Sequence, residues 1–183
     1  MISWIQSLDW MALDWIQHAL SCGFLDTVMP WITRLGNGGF VWILAALFMI
    51  SRKKYRKNGI MLLCGLLCGV LIGNLALKNL VARPRPCWLR PEVQLLLASP
   101  KDFSFPSGHT LSSVIAAGCL ARTDRRFGAA AIPLAALIAF SRLYLFVHFP
   151  SDVLASVVLG VAIAWGMDRL FAAILRKRTP AAE

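Results

Sequence analysis

Two histidines and an aspartate have the types and spacing that proton transfer and nucleophilic attack require. His148 precedes Asp152 by four residues, so a helical stretch would place them one turn apart. The carboxylate would then hold one ring nitrogen of His148, and the other nitrogen could act as a nucleophile or as a base. His109 follows a Pro-Ser-Gly sequence, and histidine, with an unperturbed pKa of about 6.5, suits the protonation of a leaving oxygen.

Three cations and a predicted helix start accompany these residues. Lys78 lies seven residues before Arg85, which two prolines hold in an extended stretch. Arg142 adds a planar fork of donors that suits phosphate geometry. Ser107 and Gly108 open the predicted helix, where free N–H groups bind phosphate oxygens, a hydroxyl can donate and a glycine permits close approach. This set is suited to a doubly charged phosphoryl group.

Three sequence motifs contain these residues. Residues 78–86 match K-x6-R-P, residues 106–109 match P-S-G-H, and residues 141–152 match S-R-x5-H-x3-D. In this order and spacing they resemble the signature of the type 2 phosphatidic acid phosphatase superfamily. The hydrophobic pattern extends the resemblance over most of the chain, and no key position departs from the family pattern.

The resemblance implies a mechanism and a set of roles. His148 would attack phosphorus and form a phosphohistidine, Asp152 would orient it, and His109 would protonate the leaving group before water releases phosphate. The phosphoryl oxygens would be held by Lys78, Arg85, Arg142, Ser107 and the backbone of Gly108. The family works without a metal or another cofactor, and the sequence offers no carboxylate cluster for Mg²⁺. Its membrane members act on lipid phosphates.

The composition places these residues in a membrane protein. Of 183 residues, 58% are hydrophobic and 15% are charged, whereas soluble domains carry about 25% charged residues. The net charge of +10 could suggest a nucleic-acid partner, but the basic residues lie in short clusters between long apolar runs. That pattern is typical of an integral membrane protein with basic inner loops, and it argues against nucleic-acid binding. The predicted partners are a lipid phosphate substrate and membrane lipids.

The apolar runs predict an all-α polytopic membrane bundle of five transmembrane helices, or six if the N-terminal region inserts. A bilayer core requires about 20 apolar residues, and the first run is the shortest. The predicted spans are Leu35–Ser51, Asn58–Leu77, Phe103–Ala121, Phe127–Val147 and Val153–Met167, the last continuing to Leu175. We predict a single membrane-embedded domain over residues 1–183, with a catalytic core at 35–175.

The N-terminal region, residues 1–34, is amphipathic. Residues 3–21 place tryptophans and aliphatic side chains on one face of a helix, and a second short segment, 24–35, contains Pro30. Tryptophans on such a face suit the headgroup boundary, so we predict a helix lying in the interface. Packing of this helix against the bundle is the alternative. The apolar face comprises Trp4, Ile5, Leu8, Met11, Ala12, Trp15, Ile16 and Ala19.

Three basic segments determine the predicted topology. Residues 52–57, 122–126 and 176–178 fall on one face of an alternating bundle, and short basic loops stay in the cytoplasm. Residues 176–183 would form a basic cytoplasmic tail, and the site would face the outer side of a bacterial inner membrane. The other outer-face cations are interpreted as headgroup or loop charges: Arg83, Arg90 and Lys101.

The most specific prediction concerns the substrate. By resemblance to small bacterial members, an outer-facing site and a small chain favour hydrolysis of undecaprenyl diphosphate to undecaprenyl phosphate. Phosphatidylglycerophosphate or phosphatidate is the alternative substrate, and a non-catalytic lipid-binding or transport protein is the alternative of another class. The five cysteines have no metal-binding spacing, although Cys22 and Cys87 could meet on one membrane side. The sequence indicates no oligomeric state.

Overall fold

The computed structural model describes residues 3–178, and every regular element within that range is helical. The all-α class predicted from the sequence is confirmed. Helix α4, a π-helical stretch and α5 follow one another without a break. In chain order the elements are α1 (Ser3–Leu20), α2 (Gly23–Leu35), a 3₁₀ turn (Asn37–Gly39), α3 (Phe40–Ser51), α4 (Arg56–Gly69), the π-helical stretch (Val70–Leu77), α5 (Lys78–Val81), α6 (Pro86–Leu89), α7 (Gly108–Thr123), α8 (Arg125–Tyr144) and α9 (Pro150–Arg178).

Helix α7 is the centre of the bundle, and α4, α8 and α9 pack around it. Its side chains are mostly small or aliphatic, and Leu111, Ile115 and Ala116 are almost completely buried. Trp42 of α3 donates its indole N–H to Ser113 Oγ of α7 at 2.9 Å, which satisfies two buried polar groups. Because neighbours enclose α7 on several sides, the position of its first turn is fixed.

Glycines on α4 and the π-helical stretch let α7 approach closely. A Cβ atom at Gly65 would lie 3.0 Å from Ile115, and one at Gly69 would lie 2.6 Å from the same residue. Gly73 faces Leu111 of α7 in the same way. The four-residue spacing of these glycines predicts close helix packing, and the structure confirms it.

Among the residues that the structure describes, three helical stretches are long and apolar enough to cross a membrane: Arg56–Leu89, Arg125–Tyr144 and Pro150–Arg176. The pair Gly23–Leu35 and Asn37–Ser51 meets the same criteria only when the two helices, bent by 45°, count as one span. Large apolar side chains cover the outer surface of the bundle, as a lipid environment requires. They include Leu67, Leu71, Leu75, Leu137, Leu154, Val158 and Trp165. These features are those of a multi-pass membrane protein.

The predicted five to six spans are not confirmed, and three structural differences explain why. The third predicted span, Phe103–Ala121, loses its beginning to a loop because the helix starts only at Gly108, and α7 has 16 residues. The first predicted span, Leu35–Ser51, is the second half of the bent pair. In addition, residues 145–149 form a loop, which shortens the fourth predicted span.

Helix α1 combines the two alternatives for the N-terminal region. Its tryptophan face points away from the bundle, and Trp4, Met11 and Trp15 are each more than half exposed. The other face carries Asp9 and Leu13, which are buried where α1 packs against α8 and α9. The helix therefore packs on the bundle and still presents an apolar face that suits a headgroup boundary.

The basic loops gather at one end of the bundle. Arg122 Nε lies 3.9 Å from Asp168 Oδ2 of α9, and the rings of Tyr55 and Phe127 pack with their centroids 5.2 Å apart. The beginnings of α7 and α9 and the end of α8 lie at the opposite end. Residues 179–183 of the predicted basic tail lie outside the described residues.

The two cysteines that could meet on one membrane side do not pair. Cys22 and Cys87 are both free. Cys22 is exposed, whereas Cys87 is buried with its Sγ 3.9 Å from Ser99 Oγ.

Candidate active site

The capping residue of α7 links the Pro-Ser-Gly-His segment to a neighbouring helix. Ser107 Oγ accepts a hydrogen bond from Thr110 Oγ1 at 3.0 Å and a weaker one from the Thr110 N–H at 3.5 Å. The Ser107 N–H donates to Ser156 Oγ of α9 at 2.8 Å. Ser107 is completely buried by these contacts, whereas Gly108 and His109 line an open cavity.

A tight turn after α8 brings His148 back towards Arg142. The Arg142 carbonyl accepts from the N–H groups of Val147 and His148, at 3.2 and 3.3 Å. Phe146 has a left-handed backbone with φ of 57°, which is costly for an aromatic residue and is held by the burial of its ring. His148 therefore lies in a loop that returns to the end of α8, and its side chain is buried.

Asp152 reaches His148 through Ser104. Helix α9 begins at Pro150, so the two residues do not lie on consecutive turns of one helix, and Asp152 Oδ2 is 3.8 Å from His148 Nδ1. Ser104 Oγ lies between them, 2.5 Å from Asp152 Oδ2 and 3.4 Å from His148 Nδ1. The Phe149 N–H donates to the same carboxylate oxygen at 2.9 Å. The predicted direct contact over one helical turn is thus corrected to a connection through a serine hydroxyl.

Arg85 selects the tautomer of His148. Its Nη1 donates to the Val147 carbonyl at 2.7 Å and lies 3.1 Å from His148 Nε2. A guanidinium has donors only, so the Nε2 atom that faces it carries the lone pair and Nδ1 carries the proton. His148 therefore directs its lone pair towards the cations and its Nδ1–H towards Ser104.

Asp102 forms ion pairs with two of the cations that are predicted from the sequence to bind phosphate. Its carboxylate oxygens contact Lys78 Nζ at 2.5 Å and Arg85 Nη2 at 2.8 Å. Burial alone would raise the pKa of Asp102, but the hydrogen bonds and charges of Lys78 and Arg85 overcome it and lower the pKa to about 2. The stability that this carboxylate contributes is therefore complete above its ordinary pKa of 3.8 and is lost as the pH falls through about 2. Because the Asp102 side chain is 56% exposed, an incoming anion can replace it.

Replacing Asp102 by asparagine should strengthen the binding of inorganic phosphate by about tenfold. The change keeps the side-chain shape but removes a negative charge that competes for Lys78 and Arg85, and solvent screening limits the gain. Equilibrium binding of phosphate to the detergent-purified protein measures the effect. Glu92→Gln removes an exposed carboxylate from the same loop and should leave the affinity unchanged. Equal affinities in Asp102→Asn and the wild type would show that phosphate does not use these two cations.

The end of α2 and the turn that follows it supply partners for two predicted site residues. His109 Nε2 lies 2.8 Å from Asn37 Oδ1, and Arg142 Nη1 donates to Thr33 Oγ1 at 2.5 Å. Gly36 permits this approach, because a Cβ atom there would lie 2.8 Å from the His109 ring. The end of α2 therefore contacts Arg142, and the 3₁₀ turn that follows it contacts His109.

Six of the eight predicted site residues line a cavity of about 790 Å³, whereas Ser107 and Asp152 are fully buried outside its lining. One end contains the charged and titratable groups Lys78, Arg85, Asp102, His109, Arg142 and His148. The wall formed by α3, α4 and the beginning of the π-helical stretch is apolar and includes Ile43, Leu63, Leu67 and Val70. Within residues 3–178, no group of three or more His, Cys, Asp or Glu side chains is placed to hold a metal ion. The cavity therefore joins a cationic end to an apolar wall.

Burial lowers the pKa of His148 well below 6.5, and the charges of Arg85 and Arg142 lower it further. The imidazole is therefore neutral at physiological pH, which leaves the Nε2 lone pair available for bonding to an electrophile.

The His148 ring should stay neutral at about pH 5.5, where an unperturbed imidazole is mostly protonated. The reason is that protonation would place a charge in a buried site that already contains several cations. Histidine-selective NMR of the detergent-purified protein measures the protonation, and the His148→Ala variant assigns the signal. Protonation of His148 close to pH 6.5 would contradict this burial.

The interpretation of Arg83 as a headgroup or loop charge is wrong. Arg83 is buried and forms ion pairs with Asp9 of α1 at 2.6 Å and with Asp152 of α9 at 2.5 Å. Arg90 forms a partly exposed ion pair and Lys101 is exposed, as expected for loop charges. The burial of Arg83 follows from packing of α1, which residue spacing does not reveal.

Four further residues at the site were not predicted from the sequence: Thr33, Asn37, Asp102 and Ser104. Asp102 alone left a signal, because it is one of only two acids in a loop whose other charged residues are cations. The other three are polar residues of ordinary type, and only the tertiary contacts identify them.

Comparisons with known proteins find one family. The PAP2 superfamily model matches residues 58–176. An undecaprenyl-diphosphatase of Sulfolobus acidocaldarius is 32% identical over 142 residues, covering 77% of this chain and 68% of the relative. An undecaprenyl-diphosphatase of Bacillus subtilis is 30% identical over 154 residues, covering 83% and 77%. The crystal structure of a transmembrane PAP2-type phosphatidylglycerolphosphate phosphatase from Bacillus subtilis is similar with a TM-score of 0.75 and 25% identity, covering 97% of this chain and 89% of the other.

Proposed function

The chain belongs to the PAP2 superfamily and is a lipid phosphatase, and from that premise we propose that it hydrolyses undecaprenyl diphosphate through a phosphohistidine on His148. The observation that carries the proposal is one cavity that has cations and histidines at one end and an apolar wall beside them. A phosphorylated lipid has the same two-part chemistry. Its headgroup enters the cationic end, while its tail lies against α3, α4 and the bilayer.

The substrate phosphate takes the place of the Asp102 carboxylate on Lys78 and Arg85. Both cations then donate to phosphoryl oxygens, and charge-assisted hydrogen bonds of this kind are stronger than neutral ones. The beginning of α7 offers further donors, because its first N–H groups have no helical partner. The remaining phosphate-binding groups in this proposal are Arg142 and the Gly108 backbone, whereas the buried Ser107 hydroxyl, predicted from the sequence as a donor to phosphate, contacts Thr110 in the first turn of α7.

In the first step, His148 Nε2 attacks the terminal phosphorus in line with the bridging oxygen. The N–P bond forms as the P–O bond breaks, and His109 gives its proton to the leaving undecaprenyl phosphate. His148 keeps its Nδ1 proton throughout. The positive charge that develops on its ring is stabilised by Asp152 through Ser104.

In the second step, water attacks the phosphohistidine in line with Nε2. His109, now neutral, takes a proton from the water as the N–P bond breaks, and inorganic phosphate leaves. His148 returns to its neutral form with the proton on Nδ1. The cations of the protein stabilise the phosphoryl charge in both steps, so no metal or other cofactor takes part in the proposal.

The proposal also includes a place in the membrane. Short basic segments stay in the cytoplasm, and those at 52–57 and 122–126 lie at the end opposite the cavity, which supports a site facing the outer side of a bacterial inner membrane. In this arrangement α7 also crosses the membrane, and together with the bent α2–α3 pair and the three long apolar stretches it makes five spans. It needs no full-length apolar surface, because its neighbours rather than lipid surround it. We propose one domain over residues 1–183, with a sixth span only if the N-terminal region inserts.

Phosphate release by the detergent-purified protein tests the proposal. The assay contains EDTA and compares undecaprenyl diphosphate, phosphatidylglycerophosphate and phosphatidate, with His148→Ala measured beside the wild type. We expect release to be fastest from undecaprenyl diphosphate, unaffected by EDTA and lost in the variant. Preferred release from another lipid would reject this substrate but keep the chemistry. No release from any of them by folded protein would reject both.

Phosphatidylglycerophosphate is the second candidate substrate. The similarity to a phosphatidylglycerolphosphate phosphatase structure extends over 97% of the chain, which favours this lipid as the competitor. A phosphomonoester needs protonation of a more basic leaving oxygen than a diphosphate does. A preference for it should therefore make turnover depend more strongly on His109, and His109→Ala separates the two substrates.

A further inference from the structure

Arg83 is a buried cation that takes no part in either of the two proposed steps. Its Nη1 atom lies 2.5 Å from Asp152 Oδ1 and 2.8 Å from Ser151 Oγ. Its Nη2 atom lies 2.6 Å from Asp9 Oδ2, and the guanidinium stacks 3.9 Å above the centre of the Phe149 ring. The side chain is 2% exposed, so every one of these contacts is made away from water. A planar fork with this many fixed partners has one orientation.

Arg83 fixes the oxygen of Asp152 that does not face His148. Oδ1 receives Arg83, whereas Oδ2 receives Ser104 Oγ–H and the Phe149 N–H. The carboxylate is completely buried, and without its cation it would be an unpaired charge in the interior. It would then be free to rotate, and the hydroxyl that connects it to His148 Nδ1 would lose its acceptor.

Asp9 joins this arrangement from α1. Its carboxylate accepts from Arg83 Nη2, from Ser151 Oγ at 2.6 Å and from the Ser151 N–H at 2.8 Å. Asp9 is 3% exposed and lies on the side of α1 that packs against the bundle. The carboxylates of Asp9 and Asp152 compensate the positive charge of the buried Arg83. Through Ser151, Asp9 also contacts the first turn of α9, where Asp152 lies.

We propose that Arg83 is a positioning residue for the His148–Asp152 pair and that Asp9 holds it in place, which makes helix α1 part of the catalytic machinery. The proposal rests on the proposed function, because it assumes that His148 is the nucleophile. Arg83 contacts no cavity-lining cation of the phosphate set, so it acts through Asp152 and not through substrate binding.

Kinetics of Arg83→Gln, Arg83→Lys and Asp9→Asn on the preferred lipid phosphate test the proposal. We expect kcat to fall by about 100-fold in Arg83→Gln and about tenfold in Asp9→Asn, the range that partners of catalytic groups typically produce. KM and the inhibition constant of inorganic phosphate should stay within about twofold, because Lys78, Arg85 and Arg142 are untouched. Arg83→Lys keeps the charge and should recover part of the rate.

Arg90→Gln is the matched control. Arg90 also ties α1 to the bundle, through an ion pair with Asp14 and a contact 4.1 Å above the Trp10 ring, but both partners of the pair are at least one-third exposed. It makes no contact with Asp152. Its kcat should stay within about twofold of wild type, since a partly exposed pair contributes little. Thermal unfolding in detergent confirms that each variant is folded.

Three results would overturn the proposal. Asp9→Asn is nearly isosteric, so a folded variant with wild-type kcat would remove Asp9 from the machinery. Equal losses in Arg90→Gln and Arg83→Gln would mean that attachment of α1 alone matters. Losses confined to KM and phosphate affinity would make Arg83 a binding residue. An inactive wild type or an active His148→Ala would instead reject the proposed function, so the two failures are distinguishable.

Discussion

Replacing His148 by alanine will lower the rate of phosphate release by about 10⁴-fold or more. The nucleophile and its neighbours act as a unit, and removing the atom that forms the covalent bond leaves only electrostatic stabilisation and binding. Lys78, Arg85 and Arg142 remain, so the affinity for inorganic phosphate should change little. Steady-state phosphate release and phosphate inhibition measure the two quantities on the same preparation.

His18→Ala is the matched control for this substitution. His18 lies on the exposed surface of α1. It neither lines the cavity nor contacts Asp9 or Arg83, so removal of its side chain should leave the rate unchanged. Added imidazole should restore part of the activity of His148→Ala, because it can enter the space that the ring leaves. A His148→Ala protein that retained a tenth of wild-type turnover would rule out this residue as the nucleophile.

Replacing Arg85 by lysine will lower kcat/KM by about 100-fold, and replacement by alanine will lower it further. Arg85 uses three nitrogen atoms at once, on Asp102, on the Val147 carbonyl and on His148 Nε2. Lysine restores a charge but not the fork that reaches these groups together. The transition-state charge therefore loses a fixed donor, and losing one such donor typically costs 10²–10³-fold.

Two comparisons separate this role from general charge effects. Lys101→Ala removes an exposed cation from the same loop region and should leave kcat/KM within about twofold of wild type. Asp102→Asn combined with Arg85→Lys should recover none of the lost kcat, because the missing feature is the fork. Wild-type kcat/KM in Arg85→Lys would show that Arg85 serves only as a point charge.

The fold class and the members of the cationic cluster follow from the sequence because both depend on local pattern. Apolar runs of bilayer length predict helices, and proline and glycine around 84–86 and 106–108 predict the breaks where the functional side chains lie. Basic segments then indicate which helix ends share a face. These arguments bring Lys78, Arg142 and His148 to one end of the bundle, where the structure places them.

The connections among these residues do not follow from the sequence, because they depend on contacts between distant segments. The four-residue spacing of His148 and Asp152 suggests one helical turn, yet Pro150 starts the helix between them and Ser104 completes the link. The environment of Arg83 depends even more strongly on a distant segment. Its proximity to prolines is visible in the sequence, but its burial depends on Asp9, 74 residues away in the chain.

The predicted five to six spans are not confirmed by helix length and composition, and hydropathy does not distinguish lipid from protein surroundings. Helix α7 is apolar as a consequence of being enclosed by other helices, and its 16 residues are fewer than a bilayer core requires. The run at 103–107 is uncharged because it belongs to a buried loop around Ser104 and Ser107. The prediction from composition therefore placed the beginning of the central helix within this loop, which forms part of the site.

The stereochemical course at phosphorus tests the central claim most directly. The wild-type enzyme would hydrolyse a lipid phosphate whose phosphorus is made chiral with oxygen isotopes and sulfur, and the configuration of the released thiophosphate would be determined. Two successive in-line displacements, by His148 Nε2 and then by water, each invert the configuration, so we predict net retention. Net inversion would mean that water attacks the substrate in one step, and His148 could then be at most a base.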